Sequence, residues 1–270
     1  SEMCIRDSNK SGGAWMNNFV EQSHLLGQKP VITNVFNYQK PADGKPSLIS
    51  FDDVTTMFHE FGHTLHGLFA NQDYVSLSGT NVPRDFVEFP SQINEHFALE
   101  AEVLKNYAVH YQTKKVMPQA LVDKIKKASN FNQGYATTEL VAAALLDMTY
   151  HTVSKTQDFA PVLEFEKQAL LSNGVALSQV PPRYHSPYFA HVWGGGYSAA
   201  YYAYIWSETL DSDAWEWIKA NGGMTRENGD RFRKYILSIG NTKDLNRTFE
   251  EFTGRKASIE PLLRTRGFIK

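Results

Sequence analysis

Residues 51–70, FDDVTTMFHEFGHTLHGLFA, combine a helical repeat with the pentapeptide HEFGH at 59–63. Val54, Met57, Phe58, Phe61, Leu65, Leu68 and Phe69 recur at helical spacing, predicting a buried amphipathic helix with Asp52 and Asp53 at its N-cap. One turn apart on such a helix, His59 and His63 point the same way and can clamp one Zn2+. Glu60, beside the first of them, can reach a water as general base. In a chain with nine histidines, an H-E-x-x-H run arises by chance with a probability on the order of one per cent, before a helix is required of it.

A catalytic zinc site needs a third protein ligand and one open position. The metzincin spacing would demand Gly at 66 and His at 69; His66 and Phe69 stand there, so a carboxylate from a following helix is the better search. Glu88 is the first candidate because Phe86, Val87 and Phe89 surround it, and an unpaired carboxylate is costly in such a setting. Asp85, equally an N-cap, and Glu95, better placed to support a ligand than to be one, are its rivals. His66 lies near the ligand face but reads as a packed histidine.

The rest of the chain narrows the class. Its 270 residues can bury a large core, and 27 Lys+Arg against 29 Asp+Glu leave no basic block for nucleic acid or an anionic membrane. No apolar run is long enough to span a bilayer. Cys4 is the only cysteine, which excludes an intrachain disulfide and fits a cytoplasmic protein, expected to be a monomer. Residues 1–12 read as an irregular N-terminus or sequence scar, ahead of a domain at 13–270 that belongs to a longer natural protein.

Two short strands are expected at 13–16 and 31–38, either walling off the HEFGH helix or offering an edge to an extended peptide. A long helix should start at Ser91, with Pro90 in its first turn. Further helices are expected at 118–128, 134–156 and 161–173, then an aromatic one over 198–220, and others near 225–239, 242–253 and 258–265. The fold class is mainly α, a zincin-type catalytic portion with a few short strands beside the site.

A second constellation comprises His191, Gly194, Gly195, Gly196, Tyr197, Tyr201, Tyr202 and Tyr204. Glycines allow close approach to a ligand, and tyrosine hydroxyls with a histidine N–H could stabilise an oxyanion. The same tyrosines could equally pack as an amphipathic core with their hydroxyls at the surface.

HEFGHTLHGLF, SGTNVPRDFVEFPSQINEH and YFAHVWGGGYSAAYYAYIW together closely resemble the thimet oligopeptidase family of zinc metallopeptidases. GGAWMNNFVEQS, VITNVFNYQKP and GGMTRENGDRFR resemble its bacterial peptidyl-dipeptidase branch. The resemblance implies zinc binding by His59, His63 and Glu88, with Glu60 as catalytic base. It also implies contacts from His191 and Tyr204 to the scissile carbonyl and its oxyanion, and from Tyr197 to substrate. Gly195, Gly196 and Tyr201 join Tyr197 as expected substrate-binding residues. The expected activity is hydrolysis of short peptides with release of C-terminal dipeptides, an endo-acting oligopeptidase or an inactive zinc-binding fragment being the alternatives. A dipeptide-releasing enzyme must grip a free carboxylate, for which Arg84 and Arg183 are candidates. Family members carry a long helical N-terminal portion that walls a substrate channel; this chain lacks it.

Overall fold

The structure, a computed structural model, describes residues 12–39, 41–154, 159 and 161–270. The reading of residues 1–12 therefore falls almost wholly outside the described residues; the helix expected to reach 156 ends at His151, with Thr152 as its C-cap.

Mainly helical architecture is built around α1, Phe51–Leu68. Its N-cap is Ser50, not Asp52 or Asp53. The Ser50 hydroxyl accepts the backbone N–H of Asp53 at 3.0 Å while the Asp53 carboxylate accepts that of Ser50 at 3.0 Å, a reciprocal capping box. On one side α1 meets an antiparallel hairpin, β1 (Trp15–Val20) and β2 (Val31–Val35), with Trp15 opposite Val35 and a bulge between Asn18 and Val20. The first strand thus runs later, and the second ends sooner, than their β-branched runs predict. The Thr64 hydroxyl on α1 donates to the Asn34 side chain at 2.8 Å, tying β2 to the helix.

The other side of α1 packs on α3 (Phe89–His96), which follows a short helix, α2 (Arg84–Val87). Gly62, inside HEFGH, makes this close approach possible. A Cβ there would stand 2.6 Å from the Pro90 carbonyl oxygen and 2.6 Å from the Ser91 Cα. The single long helix expected from Ser91 is instead interrupted: α3 ends at His96, a 3-10 turn covers Phe97–Leu99, and α4 resumes over Ala101–Tyr107. Glu100 lies in extended backbone between them, so the apolar periodicity continues while the axis breaks.

Beyond come α5 (Gln119–Ala128), α6 (Gln133–His151), α7 (Val162–Ser172), α8 (Ala190–Trp193) and α9 (Ala203–Ala220). α10 (Arg226–Phe232) runs into a π-helical turn, Arg233–Leu237, and α11 (Leu245–Thr253) and α12 (Glu260–Thr265) follow. The main core joins α2 and α3 to α9 and α11 through Phe86, Phe89, Leu210, Trp215, Phe249 and Phe252. No helix among the described residues is long and apolar enough to cross a membrane.

One polar side chain in α1 sits at odds with its surroundings. His66 is fully buried, and neither ring nitrogen has a hydrogen-bond partner. Burial, with a smaller contribution from His63, pushes its pKa down to about 3. Below the ordinary histidine pKa of about 6.5 the unfolded chain takes up a proton that the folded chain refuses. Stability should therefore fall as pH drops from about 6.5 toward 3, by a few kcal/mol in all. Urea unfolding at a series of pH values should show this slope in the parent chain and its loss in His66→Leu. A slope unchanged in that variant would assign the acid sensitivity elsewhere.

Candidate active site

α1 presents His59 and His63 one turn apart, their rings edge to face with centroids 5.0 Å apart. The junction of α2 and α3 brings Glu88 beneath them, 2% exposed. Its Oε2 lies 3.1 Å from Nε2 of His59 and 3.2 Å from Nε2 of His63. The three side chains offer ligand atoms all within 4.8 Å of one another. Of the rivals, Asp85 accepts a hydrogen bond from the Tyr202 hydroxyl, and His66 is packed away. Glu95 sits 2.6 Å from the other ring nitrogen of His59. It fixes which face of that imidazole is free, a role typical of carboxylates behind a metal-binding histidine.

The charges in this cluster favour a cation. Burial opposes a charged His59 ring, but hydrogen bonds to Glu88 and Glu95 outweigh it and lift the pKa to about 10. Burial likewise opposes the Glu88 carboxylate, yet the adjacent His63 and His59 hold its pKa well below the usual range. Two imidazoles and one carboxylate around a common point form a donor set suited to a four-coordinate metal with one position left for a small molecule. Glu60 is 5% exposed, and its Oε2 has no hydrogen-bond partner. Burial raises its pKa, while His59 and His63 pull the other way. A carboxylate so placed is poised to accept a proton.

These groups open into a cleft of about 1010 Å³, lined also by Arg84, His191, Trp193, Gly194, Gly195, Tyr197 and Tyr204. The two constellations, far apart in sequence, therefore share one space. Tyr197 and Tyr204 stack with centroids 5.3 Å apart, and the His191 ring stands edge-on to Tyr204 at 6.1 Å. Burial, then the Glu88 charge, raises the pKa of Tyr204, so its phenol remains a donor. Burial and the charge of Arg183 lower that of His191, which keeps the ring neutral at neutral pH. Its Nδ1 is buried without a partner. The Tyr197 hydroxyl donates to Oε1 of Glu88.

Other expected residues lie elsewhere. Tyr201 is 2% exposed, packs against Phe189 and Tyr184 in a buried cluster and does not line the cleft. Gly196 is turned toward Arg84. Arg183 is exposed, beside Tyr201 and Tyr184, and is not among the lining residues. From the hairpin, Trp15 and Met16 of β1 line the cleft together with Gly12–Ala14; nothing from 31–38 does. The inner strand of the pair is thus β1, and β2 is the one pinned to α1.

Asp147 on α6 had no local signal in the sequence. Fully buried, its carboxylate accepts the backbone N–H groups of Ala199 and Tyr201, both at 2.9 Å. Ala199 has φ +54, a left-handed conformation costly for a residue with a Cβ. The carboxylate holds the backbone there, and the tyrosine-rich helix starts at Ala203 rather than 198.

Known proteins resemble this chain over nearly its whole length. Dipeptidyl carboxypeptidase of Escherichia coli (strain K12) is 56% identical over 262 residues, covering 97% of this chain and 38% of that protein. Oligopeptidase A of the same strain is 35% identical over 264 residues, covering 96% and 38%. Saccharolysin of Saccharomyces cerevisiae is 32% identical over 243 residues, covering 88% and 33%. The chain spans little more than a third of the length of such relatives. The model of Peptidase family M3 matches residues 4–268, and with a His-His-Glu cluster lying in this cleft the chain belongs to that family of metallopeptidases.

Proposed function

We propose that this chain carries the catalytic centre of a zinc peptidase that hydrolyses short peptides and releases dipeptides from their free C-termini. The observation that carries the reading is the convergence of His59, His63 and Glu88 beside the unpartnered carboxylate of Glu60, inside one cleft. The relative at 56% identity, named a dipeptidyl carboxypeptidase, supports the exopeptidase form.

His59, His63 and Glu88 would hold one Zn2+, which when bound supplies a Lewis acid that polarises a carbonyl and acidifies water. Glu60 takes the proton of the attacking water and passes it to the leaving amine. Tyr204 and His191 donate to the oxygen on which negative charge develops. Tyr197 orients Glu88 through its hydroxyl, and Gly195 lines the cleft, its missing side chain leaving room for the His191 backbone. An extended substrate lies along the Gly12–Met16 side of the cleft.

Recognition of a free C-terminus requires a charge-assisted contact to the substrate carboxylate. Amidating that carboxylate should lower kcat/KM by roughly ten- to a hundred-fold. Mass spectrometry of products from matched free-acid and amide peptides reads both the rate and the bond cut. Equal cleavage of the pair at internal bonds would overturn the dipeptidase form in favour of an endo-acting oligopeptidase. The relative named oligopeptidase A, at 35% identity, favours that second reading.

A further inference from the structure

Arg84 opens α2, one helical turn before Glu88, and its guanidinium reaches across to the glycine loop. Its Nε donates to the Gly196 carbonyl at 3.1 Å, and its Cζ lies 4.9 Å from the centre of the Tyr197 ring. Gly196 has φ +79, and a Cβ there would stand 2.9 Å from Nη2 of the same guanidinium, so loop and cation are shaped to each other. Tyr197 in turn donates to Oε1 of Glu88, whose Oε2 faces both imidazoles.

These contacts form a chain from an exposed cation to a buried carboxylate. We infer that Arg84 is a positioning residue that anchors the Gly194–Gly196 loop and, through Tyr197, orients the Glu88 carboxylate toward the metal. The inference rests on the ligand role proposed for Glu88. Three successive glycines have no side chains with which to hold themselves in place, so an external clamp has the most to contribute there. With Oε1 held by Tyr197, Oε2 of Glu88 is left facing His59 and His63, where the Ser91 hydroxyl also reaches it at 3.2 Å; without the Tyr197 bond that single contact is all that opposes rotation of the carboxylate about its last torsion. A guanidinium suits the task because its planar fork can hydrogen-bond a carbonyl and lie over an aromatic ring at once. Linkage then requires that metal affinity and loop position change together: whatever orders the loop tightens the metal, and the metal orders the loop by the same free energy.

The test is zinc affinity, measured by competition with a chelator in the full chain, for Arg84→Met, Tyr197→Phe and the double variant. Tyr197→Phe should weaken zinc binding by about ten- to a hundred-fold, as for losing a partner of a metal ligand. Arg84→Met should weaken it by a smaller factor, and the double variant should match Tyr197→Phe alone, because Arg84 acts only through Tyr197. Zinc affinity unchanged in Arg84→Met, or independent effects that multiply in the double variant, would overturn the inference. The metal-free melting temperature of Arg84→Met should equal that of the parent; a drop would make the effect one on the fold and also overturn it. Glu88→Gln separates this from the ligand assignment. Loss of zinc in that variant with none in Arg84→Met sinks the positioning role alone, whereas parental zinc affinity in Glu88→Gln sinks the ligand reading itself.

Discussion

Glu60→Gln should leave zinc binding intact and lower kcat by about 10²–10⁴-fold, the range for removing a general base. Gln keeps the size of Glu60 but cannot accept a proton. The carboxylate makes no hydrogen bond through Oε2, so no buried partner is stranded by the change. Little stability should be lost. Burial is the main cause that raises the Glu60 pKa, which brings its basicity nearer that of the proton transfer it serves. Metal analysis and steady-state kinetics on one preparation decide the matter. Zinc retained with hydrolysis near the parent rate would remove Glu60 as the base.

Tyr204→Phe should lower kcat by roughly 10²–10³-fold while KM changes little, the signature of one donor that acts only on the developing oxyanion. The ring stays, so its stacking on Tyr197 at 5.3 Å should survive and the loop should not collapse. Only the hydroxyl is lost. An unchanged kcat would return Tyr204 to packing. A KM that rises in step with the fall in kcat/KM would instead assign the hydroxyl to ground-state binding.

Much of the centre was legible because its residues are local. The HEFGH helix announces itself by periodicity, and two ligands one turn apart need nothing beyond helical geometry. Glu88 was readable as a charge in an apolar stretch, although spacing alone left Asp85 and Glu95 open. What escaped was set by partners distant in sequence. The tyrosine helix starts late because Asp147, from another helix, holds Ala199 and Tyr201. Tyr201 belongs to the core, although nothing local distinguishes it from Tyr204 three residues on. Which strand faces the cleft is set by how the hairpin packs on α1, contacts distant in sequence that no alternation pattern encodes. Gly62 could have been noticed, since a glycine inside an otherwise strong helix implies that another backbone comes close.

Gly62 also bears on how the proposed metal centre would gauge an ion. The histidines ride on α1 and Glu88 on the segment opening α3, and at this glycine the two backbones touch without a side chain between them. The gap between nitrogen and oxygen donors is therefore calibrated by main chain against main chain, like the stop on a calliper. A single methyl at this point would act as a shim, prising the jaws apart by several tenths of an ångström where a coordination sphere tolerates about 0.2 Å. The bore of the proposed metal seat is set by an atom that is not there.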